Sequence, residues 1–239
     1  MNYLWRQNAS LPIAFGRLGA LPTCYVSPLI KNKFIHLGLT SPASYINGSI
    51  IKNAIKKIGT SNRLLKYRML NNSNLIYENV VDTLNYDLFF KEFNMPDTFN
   101  SWFLITELHI WMIMCRYMAE GKNGQYIRNA IVQKMWTDLK NRVDKLGTIT
   151  SSKKNKQIMQ IGEQFQAAII GYDEAILSND MVLAGALWRR FFLSECNNPQ
   201  HIEMLVLYVR KQMQMLDKIP PDEILDQRSV NWLPLEKIK

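Results

Sequence analysis

Residues 99–118 of the chain read FNSWFLITELHIWMIMCRYM, a continuous apolar stretch long enough for about five helical turns. The stretch also contains Glu107, His109 and Arg116. Because a charge near the centre of a membrane-spanning helix costs about 2.5 to 3.5 kcal/mol on insertion scales, we predict a helix buried in a protein core. Insertion of this stretch in a membrane is the alternative.

Helical periodicity continues on both sides of this stretch, from about residue 78 to residue 219. The pattern predicts one helix before the central one and four after it. No alternating strand pattern bounded by hairpin turns appears. The sequence therefore predicts an all-α fold, a single bundle-like domain of several helices over residues 78–219. Residues 220–239 are predicted to be a C-terminal tail.

Capping and breaking residues mark the ends of these predicted helices. The first helix carries Val80 to Phe89 and ends before Pro96, and the central helix starts at Asp97 or Thr98. The remaining ends are predicted at Gly121 and Gly124, Gly147, Ser151 or Ser152, Asn179 or Asp180, the Asn198–Pro199 pair, and Pro220 with Pro221.

Charge divides the chain into two parts. Residues 1–77 hold ten of the 29 Lys and Arg and no acid, so residues 78–239 hold the other 19 and all 20 Asp and Glu. The N-terminal third is therefore +10 and the remainder is −1. Residues 1–47 are basic, acid-free and contain scattered Ser, Thr and Asn, as mitochondrial transit peptides do. We predict a transit peptide there; a disordered basic tail is the alternative.

Residues 48–77 are predicted to form a basic amphipathic arm that remains after cleavage. Ile51, Ile55 and Ile58 recur at helical spacing. Such a segment binds an anionic membrane surface or nucleic acid, or it packs on the domain through its Ile face. The candidate contacts with a ribosome or membrane are Lys52, Lys56, Lys57, Arg63, Lys66 and Arg68.

A search for catalytic or metal-binding patterns finds none. The three Cys and three His are widely spaced, without a CxxC pair or metal-ligand spacing. The sequence has neither a Gly-rich phosphate loop nor a GxSxG motif. Asp173 and Glu174 are adjacent, so on a helix they point about 100° apart and do not face each other as an acid–base pair. We expect no enzyme activity, cofactor or metal.

Three sequence blocks in the rest of the chain resemble a known family. In order they are PDTFNSWFLIT (96–106) followed by His109 and Trp111, GYDEAILS (171–178) followed by ALWR (186–189), and YVRKQ (208–212). Together, over about residues 85–235, they resemble the ubiquinol–cytochrome c chaperone family, mitochondrial assembly factors for cytochrome b of respiratory complex III.

This resemblance implies a non-enzymatic chaperone on the matrix side of the mitochondrial inner membrane. It also implies a heterodimer with a small helical partner, association with the mitochondrial ribosome, peripheral contact with the inner membrane, and nascent cytochrome b as client. No catalytic residue carries over. The blocks contain candidates either for partner or client contacts or for structural contacts between helices: Trp102, Trp111, Tyr172, Asp173, Trp188 and Arg189.

The +10 segment supports an alternative function, a mitochondrial RNA-binding or ribosome-associated protein. Its cations between Arg63 and Arg68 are interleaved with Tyr67, as in many nucleic-acid-binding surfaces. The rest of the chain is electrically balanced and contains no recognised RNA-binding motif.

Overall fold

The computed structural model describes residues 48–145 and 150–238, and the side chains of residues 63–145 and 150–237. Within these ranges the chain is all-α, as predicted, and contains no strand. The predicted transit peptide and Gly147 lie outside the described residues. The elements are α1 (Gly48–Thr83), α2 (Tyr86–Glu92), α3 (Phe99–Met118), α4 (Gly121–Lys145), α5 (Ser151–Ile176), α6 (Asp180–Arg190), α7 (Pro199–Asp217), α8 (Pro221–Asp226) and a final 3-10 helix (Leu235–Ile238).

Helix α3 is the centre of the domain, which confirms the prediction of a buried core helix. Fourteen of its 20 residues are buried, and it contacts α1, α2, α4, α5 and α7. A helix that is apolar on all sides is suited to this position, where it has neighbours all round. Thr98 caps its start, because Thr98 Oγ1 accepts from the Ser101 N–H at 3.3 Å. Among the described helices, none combines the length and apolarity needed to cross a membrane.

Helix α1 joins the predicted basic arm to the domain without a break. Its C-terminal half packs on α4, with Met69, Tyr77 and Val80 buried. The Tyr77 hydroxyl donates to Asp138 Oδ2 of α4 at 2.8 Å. The boundary placed at residue 77 from the charge distribution therefore falls inside one helix, and Met69 is the first buried residue among its described side chains, which start at residue 63.

Several predicted helix ends are confirmed by side-chain caps. Asn179 Oδ1 accepts from the Val182 N–H at 3.0 Å and starts α6, and Asn198 Oδ1 accepts from the Gln200 N–H at 3.1 Å and starts α7. Helix α5 begins at Ser151, one of its two predicted starts.

Two predicted helix ends are wrong, each for a local reason. The pattern from Val80 to Phe89 is two helices, because Asn85 Oδ1 accepts from the Leu88 N–H at 3.1 Å and starts α2. Gly124 does not break a helix but lies in the first turn of α4, where a Cβ would collide with the Tyr117 carbonyl oxygen. Ala119 and Glu120 lie between α3 and α4, and Gly121, at φ +59°, turns the chain into α4.

Residues 220–238 are part of the packed domain rather than a free tail. Ile224, Val230 and Leu235 are buried in the core. The Tyr117 hydroxyl donates to the Ile224 carbonyl at 2.9 Å, which fixes α8 to the end of α3. Gln212 of α7 is also hydrogen-bonded to the backbone of Leu233. The apolar positions in this segment are too sparse to show a period, so the sequence did not predict their burial.

Candidate functional site

Three of the candidate residues join α3 to α5. Trp111 and Tyr172 are almost completely buried, and their ring centroids lie 4.9 Å apart. The indole N–H of Trp111 donates to Asp173 Oδ1 at 2.8 Å. Cys115 lies beside the same carboxylate, and burial, followed by the Asp173 charge, raises the pKa of its thiol. The group therefore holds two helices together, and its cysteine stays protonated.

The other two candidates in the second block, Trp188 and Arg189, are not brought together in one site. The Trp188 ring is half-buried, and its indole N–H donates to the Cys196 carbonyl at 3.0 Å, which closes the loop after α6. Arg189 is exposed. It remains available as a contact candidate, whereas Trp188 has a structural hydrogen bond.

A buried ion pair links α3 to α6, and sequence reasoning did not predict it. Glu107 is completely buried, and both of its oxygens accept from Arg190, at 2.7 Å from Nε and 2.6 Å from Nη2. Burial raises the pKa of the Glu107 carboxyl, and the hydrogen bonds and charge of Arg190 oppose that shift. The carboxylate in turn raises the pKa of Arg190. This two-point geometry is the one by which a guanidinium holds a carboxylate.

Two further arginines bind carbonyl groups at helix ends. Arg116 of α3 is buried and donates to the carbonyl oxygens of Leu216 at 3.0 Å and Ile219 at 2.6 Å, at the end of α7. Arg210 of α7 donates to the carbonyl oxygens of Ile176 at 2.7 Å and Ser178 at 2.8 Å, after α5. Helix C-termini carry unpaired carbonyls and partial negative charge. A guanidinium stabilises such an end because it donates hydrogen bonds to the carbonyls and its positive charge is attracted to the helix terminus.

His109 is a neutral core residue rather than a ligand or base. Its Nδ1–H donates to the Ile105 carbonyl at 2.7 Å, so Nε2 accepts from the Tyr208 hydroxyl, also at 2.7 Å. The edges of Phe89 and Trp232 enclose the ring. Burial lowers the pKa of His109 to about 4.

We predict that His109 makes the domain sensitive to mild acid. The unfolded chain takes up a proton on His109 below its ordinary pKa of about 6.5, whereas the folded chain does so only near 4. Protonation of His109 therefore leaves the free energy of unfolding unchanged above about pH 6.5. It lowers that free energy by about 3 kcal/mol as the pH drops to 4. Urea unfolding of wild type and His109→Gln at several pH values in this range gives the slope of the free energy of unfolding against pH, which should be smaller in the variant. Equal slopes would show that His109 does not cause the acid sensitivity.

Trp102 is the least enclosed tryptophan on α3. Its ring is half-buried, and the Arg142 guanidinium of α4 lies 4.3 Å from the ring centroid. Arg142 is held in turn by Asp138, at 2.8 Å. Trp102 therefore covers the α3–α4 contact from outside, and part of its ring remains open to a partner.

The cations of the basic arm fall into three groups. The first group belongs to α1 but has side chains outside the described residues: Lys52, Lys56 and Lys57. Arg68 pairs with Asp226 of α8 at 2.8 Å, with both side chains more than half exposed. Arg63 and Lys66 are exposed and form no ion pair with the side chains that the structure describes, and Leu64 and Tyr67 beside them are each 70% exposed.

Within the described part of the chain, no cluster of three or more His, Cys, Asp or Glu is arranged to hold a metal. A surface depression of about 430 Å³ lies along α4, lined by Gln133, Trp136, Thr137, Lys140, Asn141 and Asp144. Its lining contains no nucleophile paired with a base, which a covalent or acid–base mechanism needs.

These contacts define an all-α protein whose interior polar groups hold helices to one another. A family model described as ubiquinol-cytochrome C chaperone matches residues 91–232, most of the packed domain. The chain belongs to this ubiquinol–cytochrome c chaperone family.

Relatives in animals and yeast support the assignment. The chain is 48% identical over 201 residues to ubiquinol-cytochrome c reductase complex assembly factor 1 of Drosophila melanogaster, covering 82% of this chain and 77% of that protein. It is 46% identical over 160 residues to the Homo sapiens protein of that name, covering 67% of this chain and 53% of the relative, so it matches about half of the human protein's length. Mitochondrial protein CBP3 of Saccharomyces cerevisiae is 29% identical over 162 residues, covering 66% of this chain and 48% of that protein.

A solved structure has the same fold. The crystal structure of the Cbp3 homologue from Brucella abortus superposes with a TM-score of 0.61 and 19% identity, covering 79% of this chain and 99% of that one. At this identity the similarity concerns the arrangement of helices alone.

Proposed function

We propose that this protein is a non-enzymatic assembly chaperone for the ubiquinol–cytochrome c reductase complex, respiratory complex III, in mitochondria. Its client would be newly synthesised cytochrome b. It would act on the matrix side of the inner membrane, in a heterodimer with a small helical partner and near the mitochondrial ribosome. No catalytic step, cofactor or metal is part of this proposal.

The observation that carries the proposal is the coincidence of family match and fold. The match over residues 91–232 covers helices α3 to α8, the elements that build the core around α3. Relatives sharing 46% to 48% of aligned residues are named as assembly factors of this complex. The yeast relative is named as mitochondrial, which agrees with the transit-peptide composition of residues 1–47.

The client is tested by capture of newly made mitochondrial proteins. The tagged protein is expressed in cells whose mitochondrial translation products are radiolabelled, and the captured products are separated by size. We expect enrichment of cytochrome b over all other products. Recovery of every product in proportion to its synthesis would contradict a specific client.

We further propose that the basic arm attaches the protein to the ribosome or to the anionic inner membrane. Arg63 and Lys66 support this, because they are exposed and are paired with none of the described acidic side chains. Near an anionic surface each cation contributes about 1 kcal/mol. Arg68 is the weaker contact candidate, since it is paired with Asp226.

Replacing Arg63 and Lys66 by Gln should therefore weaken attachment by about 2 kcal/mol, or roughly 30-fold in affinity. Co-sedimentation with isolated mitochondrial ribosomes, and separately with cardiolipin-containing vesicles, measures the change. A matched control is Lys153→Gln with Lys156→Gln, which removes the same charge from exposed positions of α5. Equal effects of the two variants would show that only net charge matters.

Direct RNA binding by the same arm is the second candidate function. Tyr67, 70% exposed between Lys66 and Arg68, is placed for stacking on a base. Binding of purified protein to mitochondrial ribosomal RNA should then fall steeply between 50 and 200 mM salt, as phosphate contacts do. Without a salt-sensitive complex, contact with the ribosome would have to be made through its proteins.

A further inference from the structure

The junction of α5 and α6 carries the two most exposed large apolar side chains among the described residues, Leu177 and Met181, and Ile170 lies nearby on α5. Ile170, Leu177 and Met181 are 68%, 89% and 82% exposed, and we call these three the α5–α6 apolar surface. Leu177, which caps the end of α5, follows Ile170 by seven positions, so the two lie on the same side of the helix axis, and Met181 is in the first turn of α6. Single exposed apolar residues are ordinary, but a group of this size on one surface indicates an interaction site.

The backbone that presents this surface is held in place by the domain. Arg210 of α7 donates to the carbonyl oxygens of Ile176 and Ser178 and to Asp180 Oδ1. Asn179 caps α6, and the Ser178 hydroxyl donates to the Glu174 carbonyl at 2.9 Å. The apolar side chains are therefore displayed on an ordered turn, which lowers the entropy cost of binding.

Along the chain, the charged side chains of this segment are all acidic, and Arg210, which reaches the turn from α7, is bound to Asp180 and two carbonyl groups. Residues 157–188 contain four acids and no Lys or Arg, the nearest cations along the chain being Lys156 and Arg189. Asp173 accepts from Trp111 and Asp180 from Arg210, whereas Glu163 and Glu174 are exposed and form no ion pair with any described residue. An apolar surface with uncompensated acids beside it is complementary to an apolar segment with cations beside it.

We propose that the α5–α6 apolar surface binds an apolar helix flanked by Lys or Arg, the composition of a membrane-protein segment before insertion. The inference rests on the proposed assembly function for the nature of this partner. Apolar side chains of the bound helix would cover Leu177, Met181 and Ile170. Its flanking cations would face Glu163 and Glu174.

The test uses the full chain and two fluorescein-labelled synthetic helices with the same Leu- and Ala-rich centre, one with Lys flanks and one with Glu flanks. Fluorescence anisotropy should show tighter binding of the Lys-flanked helix by at least tenfold. Leu177→Asp with Met181→Asp should weaken that complex at least tenfold. Glu163→Lys with Glu174→Lys should reverse the preference between the two helices. The matched control is Leu207→Asp, an exposed apolar position on α7, which should change affinity by less than twofold.

Unchanged affinity in Leu177→Asp with Met181→Asp would overturn the proposal. It would also fall if the wild-type chain proved a dimer by analytical ultracentrifugation and this variant a monomer, because the surface would then serve self-association. Capture of radiolabelled translation products distinguishes failure of the proposed binding surface from failure of the proposed assembly function. If wild type enriches cytochrome b and the double variant does so equally, the assembly function stands and this surface is not the client site. If wild type enriches no product while the peptide results hold, the surface stands and the function fails.

Discussion

Replacing Arg190 by Met is expected to destabilise the domain by about 3 to 5 kcal/mol, because it leaves the Glu107 carboxylate buried without a partner. Glu107 of α3 is completely buried, and each of its two carboxylate oxygens accepts a hydrogen bond from Arg190. Desolvation of an unpaired charge is the dominant cost. Urea unfolding followed by helical circular dichroism gives the change in free energy.

Two further variants separate this pair from a general effect of charge. Arg189→Met removes the adjacent, exposed arginine and should change stability by about 0.5 kcal/mol or less. Glu107→Leu combined with Arg190→Met removes both charges and should recover most of the loss, as apolar replacements of buried pairs commonly do. A double variant as unstable as Arg190→Met alone would show that packing of the Arg190 stem, and not the stranded carboxylate, causes the effect.

The elements of this fold were predictable where a local signal exists. The all-round apolar character of α3 and the caps at Thr98, Asn179 and Asn198 are properties of short sequence windows. The break at Asn85 was missed because an apolar period of three to four runs through it, and only the cap geometry interrupts the helix. The buried C-terminal segment was missed because its few apolar residues show no period.

The polar contacts between helices were not predictable, because they join distant parts of the chain. A glutamate in the middle of an apolar helix indicates that a cation must reach it. The sequence does not show that the cation is Arg190 rather than Arg189, since adjacent residues of one helix point about 100° apart. Arg116 has the same difficulty, because it binds carbonyls about one hundred residues away.

The sequence also did not predict that the side chains of the α5–α6 apolar surface are exposed. Ile169 and Ile170 have the same side chain, yet Ile169 packs against the core and Ile170 faces outward. Ile176 and Leu177 divide in the same way. An apolar pair fits the core period whichever member faces inward, so only the packing of α5 against its neighbours identifies the outer one.

Truncation of Trp111 to Ala should cost about 3 to 5 kcal/mol, the usual range for a large aromatic side chain removed from a core. The ring is completely buried at the α3–α5 contact, against Tyr172. Loss of its indole N–H adds little, because Asp173 is exposed and water can replace that donor. Thermal and urea unfolding of the variant, each followed by circular dichroism, measure the loss.

Trp102→Ala is the matched comparison, because both residues lie on α3 but Trp102 is half-buried and covered from outside by Arg142. We expect a clearly smaller loss, since less apolar area returns to water and an exposed cation–π contact contributes only about 0.5 to 1 kcal/mol. If Trp102→Ala instead left stability nearly unchanged and lowered cytochrome b capture, its open ring edge would be a client or partner contact. If the two truncations destabilised the domain equally, the difference in burial between Trp111 and Trp102 would not determine their contributions to stability, and the prediction would be wrong.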